Sequence, residues 1–376
     1  MIPVNSVHLG ARELANVTEA VQTGWISSAG SFIEEFEESW ASFCGRRSGI
    51  AVSNGTTALQ VAVAALRPEP GSEIIMPSFT IISCALAAIY NECVPVLVDC
   101  DPATWCLDLD EVENKITART FAIMPVHMYG HPADMDRVAE IADRHGLRII
   151  EDAAQAHGAE YLIRRKEGDA WKRCGGFGDI STFSFYANKP VTTGEGGMVL
   201  TDDEEVAERV RSLHNLAFEP GRRFRHGRLG FNFRLTNVQA ALGVAQVRRI
   251  EEIVERKRWI GASYAKRLEG LPGLQIATER EWARSIYWMF GVVPSEDSGL
   301  DAVELQRKLA ERGVDTRPFF LGLHEQPALL ERGLFRGEIY PVTERLARQG
   351  VYLPTGLGLT EGELDQVCTA VTEVMA

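Results

Sequence analysis

Three short groups of residues in this chain could do chemistry together. The first, Ser53-Asn54-Gly55-Thr56-Thr57, follows a β-rich run and opens an apolar helical stretch. Gly55 lets backbone approach closely, and Thr56 and Thr57 set hydroxyls beside N–H groups that have no intrahelical partner. That arrangement suits a phosphate, and equally fits a plain N-capped helix. The second group, Glu151-Asp152-Ala153-Ala154-Gln155-Ala156-His157-Gly158, ends the apolar run that begins at Leu147. Carboxylates at the end of a buried strand are costly unless something cationic or hydrogen-bonding meets them. Asp152 could face a protonated ring nitrogen, or cap the segment that follows. In the third group, the run Ile180–Tyr186 leads through Asn188-Lys189-Pro190 into the turn Thr193-Gly194-Glu195-Gly196-Gly197. A lysine placed there can be desolvated, and the neutral amine is then a nucleophile toward a carbonyl. Each unit of pKa lowering corresponds to about 1.4 kcal/mol, so such a lysine needs a purpose-built pocket.

The elements that must position these groups are legible as an alternation. Short β-rich runs are expected at 50–53, 73–76, 95–99, 121–126, 148–152, 180–186 and 198–202. Helical patterns lie between them at 55–66, 80–90, 110–117, 134–145 and 203–213. Nearly all-apolar strands separated by helices predict a mostly parallel sheet covered on both faces, hence an α/β, three-layer large domain. Sites in such sheets gather beyond the carboxyl ends of the strands, where all three groups fall. From 236 to 269 the pattern predicts one long helical run. Beyond it, a strand near 286–293 and helices at 301–312, 342–349 and 361–375 suggest a smaller α+β domain. The division is placed near 245: residues 1–245 as the ligand-binding large domain, 246–376 as the small C-terminal one.

Composition narrows the partners. The 376 residues carry 39 Lys+Arg against 52 Asp+Glu, a formal net charge of −13, which disfavours nucleic acid and anionic membrane as partners. With 45% hydrophobic residues the chain has ample material for a core, which excludes a disordered or fibrous class. The start, Met1-Ile2-Pro3-Val4, lacks the basic and apolar regions of a secretory signal, and the apolar stretch 74–90 is interrupted by Pro77, Ser78, Thr80 and Ser83. Seven cysteines without Cys-x-x-Cys spacing argue against a disulfide framework and against a thiolate metal site. A cytoplasmic enzyme or binding protein that uses no metal is the simplest reading.

Taken together, Asn54–Ala58, Glu151–Ala159, Phe183–Lys189, Thr193–Met198 and Gly230–Ala241 resemble the DegT/StrS type of pyridoxal-phosphate-dependent nucleotide-sugar aminotransferases. The resemblance runs from about residue 2 to the C-terminus, and several ordered blocks make it far more specific than any one of them. Within the family, Thr23–Ser28, Pro125–Asp136, Ile286–Phe290, His324–Pro327 and Tyr352–Pro354 are most similar to members that aminate GDP-4-keto-6-deoxy-D-mannose to GDP-perosamine. The resemblance implies the fold of the aspartate-aminotransferase-like group (fold type I), an obligate homodimer, pyridoxal 5'-phosphate as cofactor and L-glutamate as amino donor. It implies that Lys189 holds the cofactor covalently and moves protons, and that Asp152 pairs with the pyridine nitrogen. Gly55, Thr56 and Ser184 would bind the phosphate, joined by Asn232 of the partner subunit, and Gln155 would lie beside the ring substituents.

One residue departs from the family pattern. Many relatives carry an aromatic residue after the Pro-Ser-Phe-Thr element, stacking on the cofactor; here Ile81 stands there, with Phe79 two residues earlier. His127, in a loop after a strand, and Arg225 and Arg228, in the most basic stretch of the chain, are the expected sugar-nucleotide contacts. Relatives that act as 3-dehydratases on the same GDP-sugar have histidine where Lys189 stands, so Lys189 favours transamination. The further alternatives are a dTDP- or UDP-linked keto sugar as acceptor, and a regulatory relative without catalysis.

Overall fold

The computed structural model of the chain describes residues 1–164, 168–219 and 221–376. Its centre is a seven-stranded sheet of β1 (Ser48–Val52), β2 (Glu73–Pro77), β3 (Val94–Val98), β4 (Thr120–Ile123), β5 (Arg148–Asp152), β6 (Ile180–Ser184) and β7 (Gly197–Thr201). All seven expected strands are present, in the spatial order β1-β7-β6-β5-β4-β2-β3. From β3 to β6 neighbours pair in parallel, whereas β7 runs antiparallel to both β6 and β1. Two reversals leave β1 pointing the same way as β6. The carboxyl ends of β1, β2, β5 and β6 therefore share one edge, and each delivers its following loop to the same place.

These strands are short, four or five residues, and mostly buried because helices cover both faces; β2 and β7 are buried at every position. Helix α1 (Gly55–Leu66) starts one turn past β1, and α2 (Ser83–Ile89) follows β2. Helices Leu109–Lys115, Met135–His145 and Glu204–Leu213 complete the alternation near the expected bounds. Two further helices, Ala11–Gln22 and Ser31–Cys44, pack on α3 (Asn237–Val247).

The long helical run expected over 236–269 is divided. Helix α3 ends at Val247 and α4 spans Ile250–Leu268, with Arg249 between them at φ −122°, ψ 21°. The break lets Arg249 reach the buried Glu13 at 3.7 Å, a carboxylate that also accepts from Gln246 Nε2 at 2.5 Å. No apolar periodicity records that pull.

A second core lies beneath a four-stranded antiparallel sheet, Leu274–Ile276, Phe290–Pro294, Val351–Leu353 and Arg317–Pro318. It contains Ile260, Tyr264, Leu305, Val351 and Val367, and also Ile2 from the start of the chain. Ile2 N–H donates to Gly313 O at 2.7 Å, and Asp315 N–H donates to Ile2 O at 2.9 Å. The first residues thus belong with the C-terminal part, across the division that sequence places at 245. Helix α4 bridges the two cores, with Ile250, Ile253 and Val254 in the larger and Ile260, Tyr264 and Leu268 in the smaller. Among the described residues no helix is long and apolar enough to cross a membrane.

Candidate active site

At the start of α1, Asn54 caps the helix: its Oδ1 accepts from Thr57 N–H at 2.9 Å, and Thr57 Oγ1 accepts from Asn54 N–H at 3.2 Å. The N–H groups of Gly55 and Thr56 precede the first intrahelical bond and face an open cavity, at the positive end of the helix dipole. Gly55 is required here by contact, since a Cβ would lie 2.7 Å from Ser184 Cβ. Close approach of α1 to the end of β6 brings the Ser184 side chain beside those N–H groups. Ser83, the first residue of α2, adds a hydroxyl 2.8 Å from Thr56 Oγ1. Three hydroxyls and a helix N-terminus form one anion-binding corner.

Asp152 closes β5 and borders the same cavity. It is almost wholly buried, Oδ1 accepting from Ala154 N–H at 3.0 Å and Oδ2 from the Cys84 thiol at 3.3 Å. Burial pushes its carboxyl above the usual range, against those hydrogen bonds and the charge of Lys189. A carboxylate so placed is stabilised by a cation brought into the cavity. Three residues on, Gln155 Oε1 accepts from Tyr129 N–H at 2.8 Å, so its amide N–H groups are the ones left to donate. Tyr129 holds a left-handed backbone, φ 50°, to make that bond.

Lys189 stands on the loop from β6 to β7, which is folded back by Lys189 N–H to Tyr186 O at 2.9 Å and Phe185 N–H to Gly196 O at 2.8 Å. Gly194, at φ 82°, makes the turn. The Lys189 amine lies 3.4 Å from the centre of the Trp288 ring. Burial pulls its pKa down to about 7, partly opposed by Asp152. Gly55, Thr56, Ser83, Asp152, Gln155, Ser184 and Lys189 all border one cavity of about 630 Å3. Ile81, Tyr186, Trp288 and Phe320 supply its apolar surface. The arrangement offers one cavity an anion-binding corner, a buried carboxylate that suits a cation, and an amine that is partly neutral near pH 7.

Residues 7–372 match the model of the DegT/DnrJ/EryC1/StrS aminotransferase family. The chain belongs to that family. The GDP-perosamine synthase of Caulobacter vibrioides is 39% identical over 376 residues, covering 100% of this chain and 98% of that one. The GDP-perosamine synthase of Escherichia coli O157:H7 is 36% identical, with 99% and 98% covered. Among solved structures, S. venezuelae DesV in complex with a ketimine intermediate matches with a TM-score of 0.88 at 35% identity, covering 96% of this chain and 94% of that one.

The cofactor of this aminotransferase is pyridoxal 5'-phosphate. The cavity fits it: the anion corner suits the phosphate, buried Asp152, whose oxygens accept from Ala154 N–H and the Cys84 thiol, suits a protonated ring nitrogen, and the lowered Lys189 amine suits a carbonyl. Ile81 borders the cavity, whereas Phe79 is wholly buried against Tyr129, Phe319 and Phe320 and cannot face the ring. From that loop Ile81 is the side chain that borders the cavity.

Other expected contacts lie elsewhere. His127 is fully buried outside the cavity; its Nδ1 accepts from Ala133 N–H at 2.9 Å, so Nε2 carries the proton and donates to Glu151 Oε1 at 2.8 Å. Both nitrogens are used, and none remains for a sugar. The fold also brings His127, Glu151 and Cys174 donor atoms within 4.8 Å of one another, metal-ligand spacing that sequence does not show. The Glu151 oxygens, however, are taken up by His127 and by the N–H groups of Gly175 and Phe177 at 2.5 and 2.7 Å. Asn232 is exposed and holds Arg234 through Oδ1 at 2.7 and 2.9 Å, away from the cavity of its own chain. Arg225, paired with Glu219 at 3.0 Å, and Arg228 are exposed and also outside it; the side chain of Arg223 lies outside the described residues.

Sequence reasoning overlooked Ser83, Cys84 and Trp288. Ser83 and Cys84 sit inside an apolar stretch read only for burial. Trp288 was visible as part of a family block, but nothing local says that it meets a lysine a hundred residues earlier.

Proposed function

We propose that this aminotransferase moves an amino group from L-glutamate to GDP-4-keto-6-deoxy-D-mannose, giving 2-oxoglutarate and GDP-perosamine. The observation that carries the reading is Lys189 with a lowered amine, facing Asp152 and the Gly55–Thr56 corner across one cavity. The GDP-linked acceptor rests on full-length similarity to two GDP-perosamine synthases.

When bound, pyridoxal 5'-phosphate supplies the electron-withdrawing ring through which an amino group passes between two carbons. The Gly55 and Thr56 N–H groups and the hydroxyls of Thr56, Ser83 and Ser184 would anchor its phosphate, and Asp152 would hold a proton on its ring nitrogen. Lys189 Nζ, substantially neutral near pH 7, accepts the proton from the donor's amine-bearing carbon and delivers one at C4 of the sugar. Ile81, Trp288 and Phe320 supply the apolar surface beside that transfer. A 3-dehydratase reading is disfavoured by Lys189 itself, and a non-catalytic one by the intact anion corner and Asp152.

We further propose a homodimer in which Asn232 of the partner subunit completes the phosphate site, and the partner's Arg225 and Arg228 approach the sugar diphosphate. The exposure of Trp25, Phe224 and Leu229, the last 95% exposed, supports a covered face in that region. An end-point assay with glutamate against GDP-, dTDP- and UDP-linked 4-keto-6-deoxy sugars tests the substrate. A GDP-sugar converted far faster than the others is expected; preference for a dTDP- or UDP-sugar overturns it.

A further inference from the structure

The site uses one buried amine, yet a second lies behind it. Lys257, on α4, is 3% exposed, and among the described residues no carboxylate is within ion-pair distance. Burial alone pulls its amine down to about 7. Burying an amine without a counter-charge is costly, and an apolar side chain of the same length would avoid the cost. What Lys257 does is hold two carbonyls: Nζ donates to Trp288 O at 2.9 Å and to Thr355 O at 2.8 Å. Thr355 Oγ1 donates to the same Trp288 carbonyl at 3.0 Å. The Trp288 peptide is thus fixed by two donors from two other segments. Its side chain acts on the active lysine twice: indole N–H donates to Asn188 O at 2.8 Å, and the ring lies 3.4 Å from Lys189 Nζ. Lys189 and Lys257 also border one narrow polar pocket behind the main cavity, with Asn188, Thr192 and Gln246.

We propose that Lys257 is a positioning residue for the catalytic amine: by fixing the Trp288 carbonyl it holds the indole that covers Lys189 and ties down the Asn188 peptide. The C-terminal part of the chain thereby sets where the amine of the N-terminal part points. The proposal rests on the reading of Lys189 as the reactive amine. Among the described residues Asp152 and His157 feel the Lys189 charge and Glu195 borders the same cavity, and none of the three is a hydrogen-bond partner of Lys257.

The test is trace acetylation of the full-length, cofactor-free chain across pH, with the Lys189 peptide quantified by mass spectrometry. Wild-type Lys189 is expected to label with a midpoint near its lowered value of about 7. In Lys257→Met the loosened indole admits water, and the midpoint rises by about one unit or more. Trp288→Ala shifts it the same way, and the double variant goes no further than Trp288→Ala alone. In the loaded enzyme Lys257→Met lowers kcat about tenfold while KM for either substrate stays within about twofold, and Lys257→Arg, which keeps the donors, recovers part of the loss. Should Lys257→Met not fold, Thr355→Val removes the other donor to the same carbonyl and must shift the midpoint in the same direction. A wild-type midpoint in Lys257→Met or Thr355→Val, with only Tm lowered, reduces Lys257 to a fold-stabilising residue and overturns the proposal. Wild-type Lys189 labelling like a surface lysine overturns both the proposal and the reading of the site, and the two failures are told apart by this wild-type curve.

Discussion

An amine with its pKa near 7 changes how the protein acquires its cofactor. Condensation with a carbonyl needs the unprotonated form, and burial favours that form of Lys189. Loading of the cofactor-free chain should therefore speed up as pH rises through about 7 and level off above it, measured by the growth of bound-cofactor absorbance. A rate still climbing steeply toward pH 10 would show an ordinary lysine. Asp152 is a second lever. Asp152→Asn removes the charge that would keep a ring nitrogen protonated; its one carbonyl oxygen can still accept from Ala154 N–H, while its NH2 replaces the acceptor that meets the Cys84 thiol, and kcat should fall about a hundredfold or more with the fold intact by circular dichroism. These two residues were legible because their types are anomalous where they stand, a charge closing an apolar strand and a lysine beside a glycine-rich turn. His127 was harder to read: a loop histidine expected to meet the sugar nucleotide proves to be wholly enclosed, and local sequence does not report which nitrogen finds a partner.

At the scale of elements, the close contact between the start of α1 and the end of β6 shapes the phosphate corner. Gly55→Ala adds a methyl that meets Ser184 Cβ at 2.7 Å, so one of the two must move and the corner opens. Affinity for pyridoxal 5'-phosphate should fall about tenfold, with little change in secondary structure, as followed by equilibrium dialysis. Strand and helix positions in the large part were read well because their periodicities are strong: α1 covers 55–66 as expected. The break between α3 and α4 was not, since it answers to Glu13, more than two hundred residues away in the chain. Trp288 escaped for the same reason, its partner Lys189 being supplied by tertiary packing alone.

For the molecule as a whole, buried titratable groups set a pH optimum of stability in the cofactor-free state. His131 and His157, pulled down to about 4 and about 3 by burial, and Lys189 and Lys257, pulled down to about 7, bind fewer protons folded than unfolded. Their contributions grow as pH rises, the histidines up to about 6.5 and the lysines from about 7 onward. All seven cysteines are free and buried, with thiols pushed up. Those thiols contribute stability below their unfolded value of about 8.5 and lose it above. Urea midpoints under reducing conditions should rise from pH 5 to about pH 8 and fall again by pH 9.5; a midpoint still rising at pH 9.5 would contradict the balance. The net charge of −13 says nothing of this, or of the anion corner, because a sum cannot show where the exceptions lie. The shared site has its own test: Lys189→Ala mixed with Asn232→Ala, each inactive or nearly so, should regain about a quarter of wild-type sites through hybrid dimers. No recovery after subunit exchange would confine the site to one chain.

The pairing of Ile2 with residues 313–315 carries a consequence in time. Ile2 and its partners are more than three hundred residues apart in the chain. At ordinary synthesis rates roughly 15 to 60 s separate the two, during which the large sheet can assemble while the small core stays open at both ends. Closing the small core thus waits on the later of two distant segments, which makes that pairing a slow contact to form even though each of its hydrogen bonds is ordinary.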